Sequence, residues 1–154
     1  MGNLTLIRTN SDNADFRSLV TLLDKDLAIR DGDDHTFYAQ FNKVDAIKEV
    51  VVAYQNELPV GCGAIKPFSE NAAEIKRMFV HPDYRKQGIA AKILTELENW
   101  AAELGFKECV LETGKKQPEA IALYQKVGYK IIPNYGQYIG VNNSVCMAKP
   151  LPKS

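Results

Sequence analysis

The residues best placed to do chemistry fall in one segment, Val80-His81-Pro82-Asp83-Tyr84-Arg85-Lys86-Gln87-Gly88-Ile89-Ala90. It runs into a stretch where Ile89, Ile93, Leu97, Trp100, Ala101 and Leu104 recur every three or four residues, the signature of one helical face. A loop that enters a helix presents unpaired backbone N–H groups and a partial positive charge, a combination that suits phosphate. Gly88 would let the backbone approach such a ligand, and Arg85 and Lys86 add positive charge. By itself the segment also fits a plain strand-to-helix connection. Other nucleotide-binding patterns fail. Gly61-Cys62-Gly63 has Lys66 where a third glycine would stand, and Gly114-Lys115 lacks both the upstream glycine and the following Ser or Thr.

His81 could titrate near neutrality, although a His-Pro pair in a turn is commonly structural. Asp31, Asp33 and Asp34 could attract a cationic amine, or could simply form a solvated loop. The cysteines, Cys62, Cys109 and Cys146, are odd in number and widely spaced, so they suggest neither a metal site nor a disulfide framework and are read as small core residues.

Elements on both sides must position these groups. Residues 4–8 read as a first strand, and Asp12 is placed as the cap of a helix bearing Phe16, Leu19, Val20, Leu23 and Leu27. A further helical stretch is expected near residues 37–42. Strands at 50–54, 60–68 and 74–80, joined by polar turns, predict an antiparallel meander. The helix begun at Gly88 ends at Gly105. A strand at 109–113 follows, then a helix opened by Pro118, carrying Ala120, Ile121, Tyr124 and Val127, and closed by Gly128. Alternation of strand and helix over 74–133 is an α/β layout, and residues 144–149 supply a last strand.

The bulk properties set limits. The 154 residues suit a single domain, with 45% hydrophobic and 25% charged residues, so the chain is globular. Nineteen basic and nineteen acidic residues leave no basic excess for nucleic acid. No apolar run nears the ~20 residues of a membrane span, and neither a signal peptide nor a myristoylation pattern is visible at the N-terminus, so a cytoplasmic protein is expected.

On these residues the chain resembles the GNAT superfamily of acetyl-CoA-dependent N-acetyltransferases. Arg85-x-x-Gly88-x-Ala90 is similar to that family's Q/R-x-x-G-x-G/A motif. Ala120-Ile121-Ala122-Leu123-Tyr124-Gln125-Lys126-Val127-Gly128-Tyr129 resembles its A-x-x-L-Y-x-K-x-G-F segment, with Tyr129 in place of Phe. The likeness is specific over about residues 50 to 130 and topological elsewhere.

It implies a layered α/β fold with a mixed, splayed central sheet flanked by helices, the sheet opening beyond the strand at 109–113. Acetyl-CoA is the implied acetyl donor, and no metal is expected. The N–H groups from Gln87 through Gly88 and Ile89 to Ala90 would hold the CoA pyrophosphate, assisted by Arg85 and Lys86. Met78, Phe79 and Val80 would pair by main chain with the pantetheine arm, and Thr113 would also contact the cosubstrate. Tyr124 stands where the family keeps its general acid, and Glu74 where some members use a carboxylate base. The loop Pro133-Asn134-Tyr135-Gly136-Gln137-Tyr138-Ile139-Gly140 is expected over the acceptor pocket, or packed on itself. The expected partner is a small-molecule amine or amino-acid-like metabolite attacked directly in a ternary complex. A protein amine, or a non-catalytic acyl-CoA sensor, are the alternatives. No nucleic acid or membrane is expected, and a homodimer is left open because dimers are common in the family.

Overall fold

The computed structural model describes residues 3–31 and 47–152. In chain order it contains β1 (Leu4–Thr9), α1 (Ala14–Asp31), β2 (Glu49–Gln55), β3 (Leu58–Pro67), β4 (Ala72–Val80), α2 (Ile89–Glu103), β5 (Glu108–Gly114), α3 (Pro118–Lys126), β6 (Lys130–Ile132) and β7 (Ser144–Pro150). Short 3-10 turns at Pro82–Tyr84 and Gly136–Tyr138 punctuate the loops. Asp33, Asp34 and the helical stretch expected at 37–42 lie outside the described residues.

The strands form one seven-stranded mixed sheet in the order β1-β2-β3-β4-β5-β7-β6. β1 to β4 are the expected antiparallel meander. Asn56 and Glu57 turn the β2–β3 hairpin with φ of 52° and 71°, the two positive values of a type I′ turn. β7 enters between β5 and β6, antiparallel to both. The run Val50-Val51-Val52-Ala53 is apolar without alternation because both faces of the sheet are covered. On one face Phe16, Leu19, Val20 and Leu23 of α1 pack on Val50, Val52, Cys62 and Phe79. On the other, Ile89, Ile93, Leu94 and Leu97 of α2 meet Val51, Ala53, Ile75 and Leu111, with Tyr124 and Tyr129 alongside.

The sequence placed the α1 cap one residue early. Asn13, immediately before Ala14, accepts the Phe16 N–H on Oδ1 at 2.9 Å. The Asp12 N–H instead donates to Asn10 Oδ1 at 2.9 Å. Gly61 and Gly63, which fail as a nucleotide loop, make room for α2. A Cβ on Gly61 would lie 2.9 Å from Ile93 Cδ1, and one on Gly63 would lie 2.5 Å from Met78 Sδ and 2.8 Å from Leu97 Cδ1. Glu98 of α2 is buried, and accepts from Tyr129 Oη at 3.0 Å and Lys149 Nζ at 2.8 Å, tying α2 to the C-terminal strands.

Candidate active site

β4 and β5 are parallel but pair over three residues each, Ala72, Ala73 and Glu74 against Glu108, Cys109 and Val110. Past Glu74 they part. β4 continues along β3 to Val80, while β5 continues along β7 to Gly114. The opening therefore lies on the β4 side of β5, not beyond β5 as the sequence reading had it. β4 is irregular here: its register against β3 slips between Cys62 and Ala64, and Arg77 takes a φ of 59°. This is the left-handed region, where a non-glycine residue stores about 1–3 kcal/mol of strain.

The gap forms a cleft of about 140 Å³ that passes through the sheet. Ile75, Leu111 and Tyr124 reach it from the α2–α3 face, and Leu23 and Leu27 of α1 from the other. Of the expected site residues, Glu74, Met78, Thr113 and Tyr124 line this cleft together. Tyr124 is 8% exposed and stacks edge-on against Tyr129, with ring centroids 5.8 Å apart. Its hydroxyl makes no hydrogen bond among the described residues. Burial, and then the charge of Glu112, raise its pKa well above the ordinary tyrosine value. The group therefore holds its proton throughout the neutral range.

Glu74 accepts a hydrogen bond from Tyr135 Oη at 2.7 Å, and its other oxygen lies 4.0 Å from Lys76 Nζ. Tyr135 in turn packs on Phe68, with ring centroids 4.6 Å apart. Asn134 Nδ2 donates to the carbonyls of Tyr138 and Val141, which organises the 133–140 loop from within. Tyr138 from that loop lines the cleft, so the loop is both self-packed and part of the site.

The loop ahead of α2 adds a second feature. Gly88 is the helix N-cap at φ 81° with no side-chain cap, and a Cβ there would meet nothing within 4 Å. The first intrahelical bond runs from the Lys92 N–H to the Gly88 carbonyl, which leaves the N–H groups of Ile89, Ala90 and Ala91 ahead of the helical ladder. Lys86, Gln87 and Gly88 are exposed, whereas the Ile89 side chain is buried and can offer its N–H alone.

Arg85 is engaged by the protein itself. Its Nε donates to the Val80 carbonyl at 2.8 Å, its guanidinium lies 5.5 Å from the Phe79 ring, and Asp26 is 3.9 Å away. It braces the turn from the α1 face. The Phe79 side chain also points to that face, so Phe79 and Val80 can serve a ligand through their main chain. His81 caps the turn, its Nδ1 accepting from the Asp83 N–H at 3.2 Å. The three cysteines are fully buried, and burial pushes the Cys62 and Cys109 thiols up to about 12.

Sequence reasoning missed Lys76, Arg77 and Glu112, which also line the cleft. Burial lowers the Lys76 pKa, against the opposing charges of Glu74 and Glu112. Arg77, with a side chain 3% exposed, donates through Nη1 to Asp24 Oδ1 at 2.8 Å. Its Nη2 is buried with no hydrogen-bond partner among the described residues, an arrangement that costs about 1–3 kcal/mol while it lasts. The available signal was Lys76-Arg77 itself, two successive charges that break the alternation of a strand.

A family model for the GNAT acetyltransferases matches residues 16–129, and the chain belongs to that family. It is 39% identical over 102 residues to an IAA acetyltransferase of Azospirillum brasilense, covering 66% of this chain and 67% of that protein. A match to a protein of Escherichia coli named uncharacterized N-acetyltransferase YjgM, also 39% identical, covers 53% of this chain and 50% of that protein. Among solved structures, a protein described as an acyl-CoA N-acyltransferase from Klebsiella pneumoniae superposes with TM-score 0.76 at 30% identity, covering 97% of this chain and 98% of its own. A GNAT acetyltransferase from Elizabethkingia anophelis, solved with acetyl-CoA bound, shares the fold with TM-score 0.70 at 20% identity, covering 98% of this chain and all of its own (100%). No helix among the described residues is long and apolar enough to cross a membrane.

Proposed function

We propose that this protein is an N-acetyltransferase that moves the acetyl group of acetyl-CoA to the primary amine of a small molecule. The observation that carries the reading is the opening between β4 and β5: the part of β4 it frees runs from Glu74, in the cleft with Tyr124, to Val80, where the loop to the uncapped end of α2 begins. Acetyl-CoA supplies the acyl group already activated as a thioester. The residues present fit it: orphaned N–H groups at Ile89, Ala90 and Ala91 for the pyrophosphate, open space above Gly88, and the edge of β4 at Met78 to Val80, which β5 leaves uncovered, for the pantetheine arm. Lys86 adds exposed charge beside the loop, and Thr113 lines the cleft.

The amine must lose a proton before it attacks, because a free alkylammonium has a pKa of about 10. We assign that proton, taken directly or through water, to Glu74, one of two carboxylates lining the cleft and the one that accepts a hydrogen bond from Tyr135. Tyr124 keeps its hydroxyl proton until the thiolate departs and then donates it to sulfur. Both partners would be bound together, with the acceptor entering from the α1 face. The test is thiol release from acetyl-CoA with an amine library, with products read by mass spectrometry. Acetylated small amines are expected. Acetylation confined to protein lysines or N-termini would replace the acceptor class, and tight acetyl-CoA binding without turnover on any amine would indicate a sensor instead.

A further inference from the structure

Resting on that reading, we infer that the acceptor amine also carries a carboxylate, and that Arg77 receives it. The cleft is lined by charges of both signs, Glu74 and Glu112 against Lys76 and Arg77. A simple monoamine or polyamine would bring more positive charge to two cations, whereas a zwitterion answers both signs. Arg77 is the specific element. Asp24, itself half exposed, engages Nη1, and Nη2 is left buried without a partner among the described residues. A guanidinium edge of this kind matches a carboxylate oxygen in geometry and charge.

The backbone delivers it there. With φ at 59° the Arg77 bulge breaks the alternation of β4, so that Arg77 turns to the α1 side and pairs with Asp24 while the next residue, Met78, packs on the opposite face beside Leu97. The anion in question is not a CoA phosphate. The free N–H groups of α2 belong to the other face, where Ile89 packs in the α2–α3 core. Glu74 and Arg77 lie three residues apart on one strand, at most roughly 10 Å between Cα atoms. One small molecule can therefore reach both with its two ends.

The experiment uses matched acceptors with the intact protein: α-, β- and ω-amino acids against their carboxamides and against the amines lacking the carboxyl group. Thiol release gives kcat/KM, and calorimetry on the CoA-loaded protein gives binding apart from turnover. Amino acids are expected to exceed their carboxamides by on the order of 10- to 10²-fold, the size of a hydrogen bond to a charged group. R77Q should remove that preference, mainly through KM, with acetyl-CoA affinity unchanged. Because the matched pairs are compared first on the unaltered protein, the result does not depend on R77Q folding. Equal use and equal binding of acids and amides would overturn the assignment while leaving amine acetylation in place. Carboxylate-selective, Arg77-dependent binding with no thiol release would support the Arg77 site and overturn acetyl transfer instead.

Discussion

Replacing Gly88 separates the two reasons a glycine could be required at the start of α2. Its φ of 81° is left-handed, so any β-branched residue there is strained by about 1–3 kcal/mol. For a domain of this size that lowers Tm by roughly 2–12 °C. Apart from its chain neighbours, no atom of the described residues lies within 4 Å of a Cβ at this position, so a Gly88→Val chain should still fold. The valine would instead occupy the space in front of the Ile89, Ala90 and Ala91 N–H groups. Losing one charge-assisted contact to a phosphate costs about 1.5–3 kcal/mol, or roughly 10- to 150-fold in Kd. Gly88→Asn is the companion variant, because asparagine tolerates left-handed backbone. It should recover most of the Tm while still weakening acetyl-CoA. Calorimetric titration with acetyl-CoA, alongside thermal melts, reads both quantities. A folded Gly88→Val protein with unchanged Kd would refute the pyrophosphate assignment, and affinity that merely tracked Tm would show the glycine to be a backbone requirement alone.

Gly63→Ala tests the packing account of β3: the added carbon would lie 2.5 Å from Met78 Sδ and 2.8 Å from Leu97 Cδ1, so stability should fall by about 1–3 kcal/mol in denaturant titration. An unchanged midpoint would mean that α2 is not held at that distance. The cysteines should resist iodoacetamide at pH 8 in the folded protein, since burial raises all three thiol pKa values and favours the unreactive protonated form. Mass spectrometry should find labelling after denaturation; rapid stoichiometric labelling of the native chain would contradict the core assignment.

Local rules made part of this structure readable. Gly88 and Gly105 bracket α2 because each takes a positive φ that other residues avoid, and the apolar spacing between them fixes the buried face. The meander was legible for the same reason, as short turns leave adjacent strands few alternatives. Insertion of β7 between β5 and β6 was not legible, because that pairing joins residues far apart in the chain and short-range pattern does not encode it. Tyr124 could be singled out through the family resemblance; its helical spacing alone describes a core tyrosine. Glu74 needed the structure to acquire its partner, since Tyr135 is 61 residues away. Arg77 was hidden by the assumption of regular alternation, which its bulge violates. Arg85 carries its charge in the expected loop, and its contacts with the Val80 carbonyl and Asp26 needed the structure to be seen.

The most direct test of acetyl transfer at this cleft is kcat against pH for the unaltered protein and Tyr124→Phe. The tyrosine hydroxyl stays protonated because burial and Glu112 raise its pKa, and it is the proposed proton donor to the leaving sulfur. Its removal should cost on the order of 10²–10⁴-fold in kcat where chemistry limits turnover, with acetyl-CoA Kd close to unchanged. A thiol pKa of about 8.5 makes the thiolate a tolerable leaving group at alkaline pH, so the defect should be largest at low pH and shrink as pH rises. Melting temperatures of both proteins guard against a packing effect. A loss uniform across pH, or no loss in a folded Tyr124→Phe protein, would contradict Tyr124 as the general acid.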